Sequence, residues 1–226
     1  SADGITFDTS NNVYITGWSQ AAWGEPLATH TGGGSINAFV VKLNPSGDIV
    51  WNTFMGNATA TARGADIAVD GGNNIYITGS SRQWGDPISA AIGDNDGFVA
   101  KLSSSGGLIW TTFFGSSYSD LSSAISLDVS GNINIIGVGD ATWGSPLQPF
   151  VGQAPCQDAF VVKLNSSGGL MANTFLGGNN CDSGAGIAVG ENGDLYVTGL
   201  MGSNWGSPKR AWSNSYDAFV ARINMD

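Results

Sequence analysis

A fourfold internal repeat is the feature of this sequence that most restricts its fold. Four segments share a pattern of small residues alternating with an isoleucine and a second large residue: Gly4–Asp8, Asp66–Asp70, Ala124–Asp128 and Gly186–Gly190. Their isoleucines are separated by 62, 58 and 62 residues. A period this regular indicates one supersecondary unit that recurs along the chain and must stack on its neighbours to bury its faces.

Each unit carries four strand signals, named a to d here. Strand a is the shared pattern, and a turn rich in Asn and Gly joins it to strand b, for which Val13–Gly17 is typical. Strand b, strand c (Ala38–Leu43) and strand d (Ile49–Gly56) are rich in β-branched and aromatic residues. Further copies lie at 75–79, 133–137 and 195–199 for b, at 97–102, 159–164 and 218–223 for c, and at 108–115 and 170–177 for d.

Four short antiparallel strands in a unit of about 60 residues are typical of a β-propeller blade. We therefore predict an all-β protein with a single β-propeller repeat domain over 1–226, whose blade units lie at about 1–56, 57–115, 116–177 and 178–226. Strand d occurs only three times in the sequence, so the fourth blade is expected to lack its outer strand. The small residues of strand a predict that it is the innermost strand, where blades crowd together.

These units resemble the bacterial SBBP-type β-propeller repeat. The matching segments are Gly186–Val189, Leu195–Gly199, Asp217–Asn224 and Trp110–Gly115, and the resemblance extends over essentially the whole chain. It implies the fold, the repeat architecture and a secreted or cell-surface setting, and it brings no catalytic residues. The third repeat departs from the pattern, with Asn134 and Ile136 where the other copies have Tyr and Thr, so its strand b is expected to pack differently.

Charge excludes several kinds of partner. The chain has 18 acidic and 8 basic residues, for a net charge of −10. Nucleic acids and anionic membrane surfaces are bound through clustered Lys and Arg, which this composition does not provide. No run of about 18 apolar residues is present, so we also expect no membrane insertion.

Residues for catalysis are scarce. The sequence has one histidine, His30, in a Thr- and Gly-rich loop of one repeat, and it lacks Cys-x-x-Cys, His-Glu-x-x-His and a Gly-rich phosphate loop. We therefore predict no catalytic residues, no cofactor and no enzyme activity. A glycosidase-like enzyme with carboxylates paired across blades is the least favoured alternative.

A longer loop between strands b and c contains Trp-Gly-x-Pro in every repeat. An indole on such a loop could stack on a sugar, which makes its tryptophans candidate ligand-binding residues. The alternative, that each ring fixes its own loop, is favoured because the motif follows the repeat so faithfully. The four candidates are Trp23, Trp84, Trp143 and Trp205.

Two further repeated features have weaker functional interpretations. Half of the basic residues occupy one position of strand c: Lys42, Lys101, Lys163 and Arg222. Each is expected to cover apolar surface and to meet an acid such as Asp8, Asp70 or Asp128, rather than to form an anion site.

The turn at 93–97 is rich in Asp, but the twelfth position counted from Asp94 is Ser105, so the turn does not match a calcium-binding EF-hand loop.

The only two cysteines, Cys156 and Cys181, are predicted to form a disulfide. Cys156 precedes strand c of the third repeat and Cys181 follows its strand d. Because these strands form an antiparallel hairpin, the start of one lies beside the end of the other. Two buried free thiols are the alternative. A disulfide would fit an oxidising, extracellular compartment.

These observations favour a non-catalytic extracellular β-propeller module that acts as a binding or structural scaffold. The alternative is a carbohydrate-binding propeller that uses the Trp-Gly-x-Pro loops. The candidate partners are a glycan or a protein at the blade loops, and a second copy or flanking repeats that complete the fourth blade.

Overall fold

The computed structural model describes residues 1–32, 34–153, 155–213 and 215–225. These residues form fifteen β-strands and no helix, so the prediction of an all-β protein is confirmed. Accordingly, this part of the chain contains no helix that is long and apolar enough to cross a membrane.

The strands are arranged in four antiparallel sheets with the repeated order a-b-c-d, which confirms the predicted four blades and the missing outer strand of the last one. The first blade consists of β1 (Ala2–Phe7), β2 (Val13–Ser19), β3 (Asn37–Leu43) and β4 (Ile49–Met55). The second consists of β5 (Ala62–Val69), β6 (Ile75–Ser81), β7 (Asp96–Leu102) and β8 (Leu108–Phe114). The third consists of β9 (Asp120–Leu127), β10 (Ile133–Gly139), β11 (Asp158–Leu164) and β12 (Leu170–Leu176). The fourth consists of β13 (Ser183–Val189), β14 (Leu195–Met201) and β15 (Asp217–Ile223).

Strand a begins earlier than the sequence pattern predicts. In the second blade β5 starts at Ala62, four residues before the predicted Asp66. A β-bulge between Gly64 and Asp66 shifts the register there. Because a bulge interrupts the alternation of inward and outward side chains, the periodic pattern becomes recognisable only after it.

The a–b turns have the backbone geometry that their composition predicts. Asn11 and Asn73 have φ values of 60°, in the left-handed region that asparagine tolerates better than most residues. Gly131 and Gly193 have positive φ values at the same position of the last two repeats. The amide of Asp8 or its counterpart donates to the carbonyl oxygen four residues later, which closes each hairpin.

The chain divides into two compact units, Ser1–Phe114 and Gly115–Asp226, each with two blades. This boundary lies one residue before the predicted limit between the second and third repeats. In the first unit β5 packs across β1, β2 and β3, and in the second unit β13 packs across β9, β10 and β11. Strand a of one blade therefore covers the face of the blade before it. A single domain over the whole chain stays a prediction.

Small residues of strand a make this stacking close. A Cβ atom on Gly64 would collide with the side chain of Thr16, and one on Gly184 would collide with Ile136. Ile67 follows Gly64 in the same strand and is 4% exposed within the core of the first unit. Burying a side chain of this size contributes about 1.5–3 kcal/mol.

The third repeat packs differently, as its sequence predicts. Tyr14 and Tyr76 of the first two blades reach a turn aspartate with their hydroxyl groups. Their counterpart Asn134 is fully buried, and neither polar atom of its amide has a hydrogen-bond partner. Lys163 lies directly across the strand pair from it and is 7% exposed.

Candidate functional site

Each Trp-Gly-x-Pro loop packs its indole against the phenylalanine of strand c, and in the complete blades also against that of strand d. In the first blade the Trp23 ring lies 5.2 Å from Phe39 and 5.6 Å from Phe54, both edge-to-face. The same arrangement recurs around Trp84 and Trp143. The glycine that follows each tryptophan has a φ of 61–65°, which explains why only glycine occurs there.

The loop also forms backbone hydrogen bonds along the outer edge of strand d. In the first blade the amide of Leu27 donates to the carbonyl oxygen of Asn52, at 2.8 Å, and the amide of Phe54 donates to Ala28, at 3.0 Å. The side-chain amide of Asn52 donates to the carbonyl oxygen of Trp23 at 2.8 Å. Strand d is therefore held on both edges, by strand c and by the loop.

The indoles of the first and fourth blades are more accessible to solvent than those of the second and third blades. Trp84 and Trp143 are 5% and 8% exposed, whereas Trp23 and Trp205 are half-buried. Trp84 and Trp143 are therefore too deeply buried to offer a ring face to a sugar. This packing favours the structural interpretation of the motif over sugar stacking, which stays a prediction.

In the fourth blade the loop is present, but within the described part of the chain no strand d lies between it and β15. Instead, a groove of ≈ 480 Å³ lies along β15. Trp205 packs edge-to-face on Phe219 at 5.2 Å, as in the complete blades, but no second phenylalanine meets it there. The groove is lined by Met201, the loop from Trp205 to Arg210 and the strand from Ala218 to Arg222. Trp205 thus lies beside an open cleft.

The repeated cations are dispersed along the blades and have different partners. Lys42 and Lys101 lie over the rings of Tyr14 and Tyr76, with Nζ 5.1 and 4.9 Å from the ring centroids. Arg222 forms an ion pair of 2.6 Å with Asp194, which is largely buried. The tyrosine contacts of the first two blades could not be read from the sequence, because they depend on cross-strand register.

The turn aspartates hold the a–b hairpins. Asp8 accepts the backbone amides of Ser10 and Asn12, the side-chain amide of Asn12 and the hydroxyl of Tyr14, all at 2.8–3.0 Å. Burial acts to raise the pKa of Asp8, but these hydrogen bonds stabilise the carboxylate and lower its pKa overall. The same set lowers the pKa of Asp70. Both acids thus have a structural role.

A second group of acids closes the long b–c loops and has the opposite pKa shift. Asp96 accepts the amides of Ile92 and Gly93, and Asp158 accepts those of Val151 and Gly152. Burial raises the pKa of Asp96 and Asp158, because these few hydrogen bonds do not compensate for lost hydration. The first oxygen of Asp158, Oδ1, is buried without a hydrogen-bond partner.

The predicted disulfide is confirmed. Cys156 and Cys181 are bonded, with their Cα atoms 4.4 Å apart and a sequence separation of 25. Next to it, the amide of Asp182 donates to the carbonyl oxygen of Gln157 at 2.7 Å. The bridge therefore fixes the segment that leads from the third blade into the fourth.

The remaining titratable candidates are engaged in loop structure. His30 accepts the Gly32 amide at Nδ1 and lies 3.1 Å from the carbonyl oxygen of Ser19 through Nε2, so Nε2 is the donor. Asp94 of the Asp-rich turn pairs with exposed Arg82 at 3.0 Å. Among the described residues, no three His, Cys, Asp or Glu side chains are grouped so that they could hold a metal ion.

Comparisons with known proteins add one distant likeness. No family model and no curated protein matches this sequence. Among solved structures, the chain is similar to a crystallised protein of unknown function from Bacteroides caccae, with 11% sequence identity and a TM-score of 0.49. The match covers 88% of this chain and 53% of the other, so this chain spans about half the length of that protein. A likeness of this degree carries no argument about function.

Proposed function

We propose that this chain is a non-catalytic SBBP-type repeat module that works outside the cell as a scaffold, by binding further blades at its terminal faces. The observation that supports this proposal is a pair of exposed sheet faces whose counterparts elsewhere in the chain are buried by blade stacking. The two faces occur in the first and the fourth blade.

The open face of the fourth blade consists of Tyr196, Thr198, Leu200 and Val220. Val220 is 80% exposed, and its counterpart Val40 in the first blade is fully buried. Thr198 is exposed, whereas Thr16 at the same position is fully buried beneath Gly64 of the next blade. The fourth blade therefore presents the surface that strand a of a following blade covers elsewhere.

The open face of the first blade consists of Ile5 and Phe7. They are 69% and 72% exposed. Their counterparts in the second blade, Ile67 and Val69, pack into the core that the first two blades share. Strand β1 therefore presents the side chains that strand a elsewhere buries against the preceding blade.

These open faces are the two complementary halves of one repeated interface. A second copy can bring its β1 onto the open face of the fourth blade, as β5 covers β1–β3 and β13 covers β9–β11. Such a contact is heterologous, since different patches of the two copies meet. Flanking repeats in a longer protein would use the same surface.

The other parts of the proposal rest on how the polar groups are used. The acids Asp8, Asp70, Asp96 and Asp158 accept hydrogen bonds that close turns and loops, which favours a structural use over catalysis. The disulfide is compatible with an extracellular setting. Carbohydrate binding has less support, because Trp84 and Trp143 are buried.

Sedimentation velocity over a range of concentrations tests the proposal. The wild-type chain is expected to associate as concentration rises. Thr198→Arg, on the open face of the fourth blade, and Ile5→Lys, on that of the first, should each abolish association. An equimolar mixture of the two variants should form dimers only, since each retains one intact half of the interface.

Val129→Arg is the matched control, because this valine is fully exposed on a turn outside both open faces. It should associate as the wild type does. A wild-type chain that stays monomeric, or association that survives both variants, contradicts the scaffold proposal. Turnover on a glycoside panel that one acid-to-amide variant abolishes contradicts its non-catalytic part, and glycan binding that is lost in Trp23→Ala and Trp205→Ala variants would support the carbohydrate alternative.

A further inference from the structure

We propose that a cavity between the third and fourth blades binds a small phenol, whose ring takes the place that a tyrosine side chain has in the first two blades. The cavity has a volume of ≈ 320 Å³ and lies between the a–b turns of the two blades, within the second compact unit. It is lined by residues 128–130 and 189–193 and by Asn132 and Lys163. The inference concerns a different surface from the open faces of the scaffold proposal.

The first two blades show how a phenol ring is bound at this place in a blade. The hydroxyl of Tyr14 donates to Asp8 at 3.0 Å. The Nζ atom of Lys42 lies 5.1 Å from the centre of the tyrosine ring, and the Trp51 ring lies 6.2 Å from it. A carboxylate and a cation therefore recognise the two ends of the phenol, its hydroxyl and its ring face. The second blade repeats these contacts with Tyr76, Asp70, Lys101 and Trp110.

The third blade retains the two charged groups and has neither ring. Asn134 stands at the position of the tyrosine, and Ala172 stands at that of the tryptophan. Asp128 and Lys163 have the positions of the aspartate and the lysine, and both line the cavity. The cavity is thus bounded by the same two groups that contact a phenol ring in the first two blades.

The hydrogen bonds of the third blade also lack what the tyrosine hydroxyl supplies. Asp128 accepts the backbone amides of Ser130 and Asn132 and the side-chain amide of Asn132, as Asp8 does in its own turn. The fourth bond of that set comes from the tyrosine. Asn134 does not replace it, because among the described residues neither polar atom of its fully buried amide has a hydrogen-bond partner. A ligand hydroxyl beside Asp128 would supply this bond.

Charge and size favour a neutral phenol over other small molecules. An aliphatic alcohol could donate to Asp128 but has no ring face for Lys163, and a plain aromatic ring has no hydroxyl for Asp128. An anion would be repelled by Asp128 and by Glu191, which also lines the cavity. Phenols ionise only near a pKa of about 10, so they are neutral at pH 7. The volume is within the range of small-molecule sites, about 300–1,000 Å³.

Titration with p-cresol, which is the tyrosine side chain as a free molecule, tests the inference by proton–nitrogen correlation NMR. The protein is the full chain carrying Thr198→Arg in every arm, so that association does not affect the spectra. We expect saturable shifts of the backbone amides of Ser130 and Asn132, which donate to Asp128. The methyl ether of p-cresol should bind at least tenfold more weakly, because it has the same ring but cannot donate to the carboxylate.

Asn134→Tyr provides the matching change in the protein. The new side chain would occupy the site from within, as in the first two blades, and should weaken the binding of p-cresol at least tenfold. Ser104→Tyr is the control, because it adds a tyrosine on an exposed turn of the second blade. This variant should bind p-cresol as the parent chain does, and the spectra show whether both variants are folded.

Three results would overturn the inference: no saturable shift at the amides of Ser130 and Asn132, equal affinity for p-cresol and its methyl ether, or undiminished binding in a folded Asn134→Tyr variant. If that variant does not fold, the comparison of the two ring compounds on the parent chain decides. The scaffold proposal can fail without affecting this result, because every arm uses the chain with Thr198→Arg.

Discussion

Buried aspartates of this protein respond to their surroundings in two opposite ways. The carboxylate of Asp8 accepts four hydrogen bonds in its turn, and its pKa is lowered. Asp158 is fully buried and accepts only backbone amides through one oxygen, so burial raises its pKa. The number of hydrogen-bond donors around a buried aspartate therefore decides whether its charged form stabilises or destabilises the fold.

Asp158→Asn is expected to raise the thermal unfolding midpoint at pH 7. An acid whose pKa is raised on folding contributes its stability fully below its ordinary pKa, and this contribution is lost as pH rises through the raised value. Removing the charge should therefore help at neutral pH and have little effect near pH 4. We expect a gain of about 1 kcal/mol, or about 2–4 °C, measured by calorimetry at both pH values.

Asn37 supports this expectation, because it occupies the position of Asp158 in the first blade and accepts the Thr31 amide in the same way. Asp86→Asn, on an exposed loop, is the matched control for the change in net charge. Destabilisation of the Asp158→Asn variant at pH 7 would contradict the assignment of a buried, strained carboxylate.

Outer strands depend on a loop as well as on a neighbouring strand. The side-chain amide of Asn173 donates to the carbonyl oxygen of Trp143 at 2.8 Å. The backbone carbonyl oxygen of Asn173 accepts a hydrogen bond from the amide of Leu147. The second blade has Thr111 at this position, so only the backbone bond is repeated there. The second and third blades therefore differ at this residue in the number of hydrogen bonds between strand d and the loop.

Asn173→Thr is predicted to lower the free energy of unfolding of the chain by about 1 kcal/mol, since it removes one hydrogen bond to a buried carbonyl group. Urea denaturation followed by tryptophan fluorescence measures the change. Thr111→Val is the matched control at the same position of the second blade and should cost less. Equal losses in the two variants would show that the side-chain bond to the loop contributes nothing.

Most strands could be predicted from the sequence, because period-2 patterns and Asn-Gly turns are local signals. The bulge at Gly64 could not, since it interrupts the pattern that reveals a strand. The role of Trp23 was ambiguous because an indole on a loop suits either packing or binding until its contacts with Phe39 and Phe54 are known. The sequence indicates a Trp205 loop without a strand d beside it. The groove along β15 that results could not be predicted, because its lining depends on how the strands pair in the folded blade.

At the scale of the molecule, the disulfide secures the entry to the blade that has the fewest strands. Cys156 precedes β11 and Cys181 precedes β13, so the bond links the third blade to the strand that covers it. Among the described residues the fourth blade has three strands, whereas each of the other blades has four.

Replacing both cysteines with serine should lower the free energy of unfolding by about 3.5 kcal/mol, which is what the chain-entropy model gives for a loop of this length. Guanidinium denaturation of the oxidised wild type and the double variant measures the difference. The wild type treated with a reductant serves as the control, and it should match the double variant. A variant as stable as the oxidised protein would mean that the loop is equally constrained without the bond.

The same bond sets a limit on how far the chain can be drawn out under tension. A chain that is pulled from both ends would lose its strands one after another, but the residues between Cys156 and Cys181, at a sequence separation of 25, would remain in a closed loop. An extended backbone spans about 3.3 Å per residue, so the closed loop shortens the fully extended chain by about 80 Å until a reductant breaks the bond. Reduction of the bond would therefore lengthen the fully extended chain by this amount.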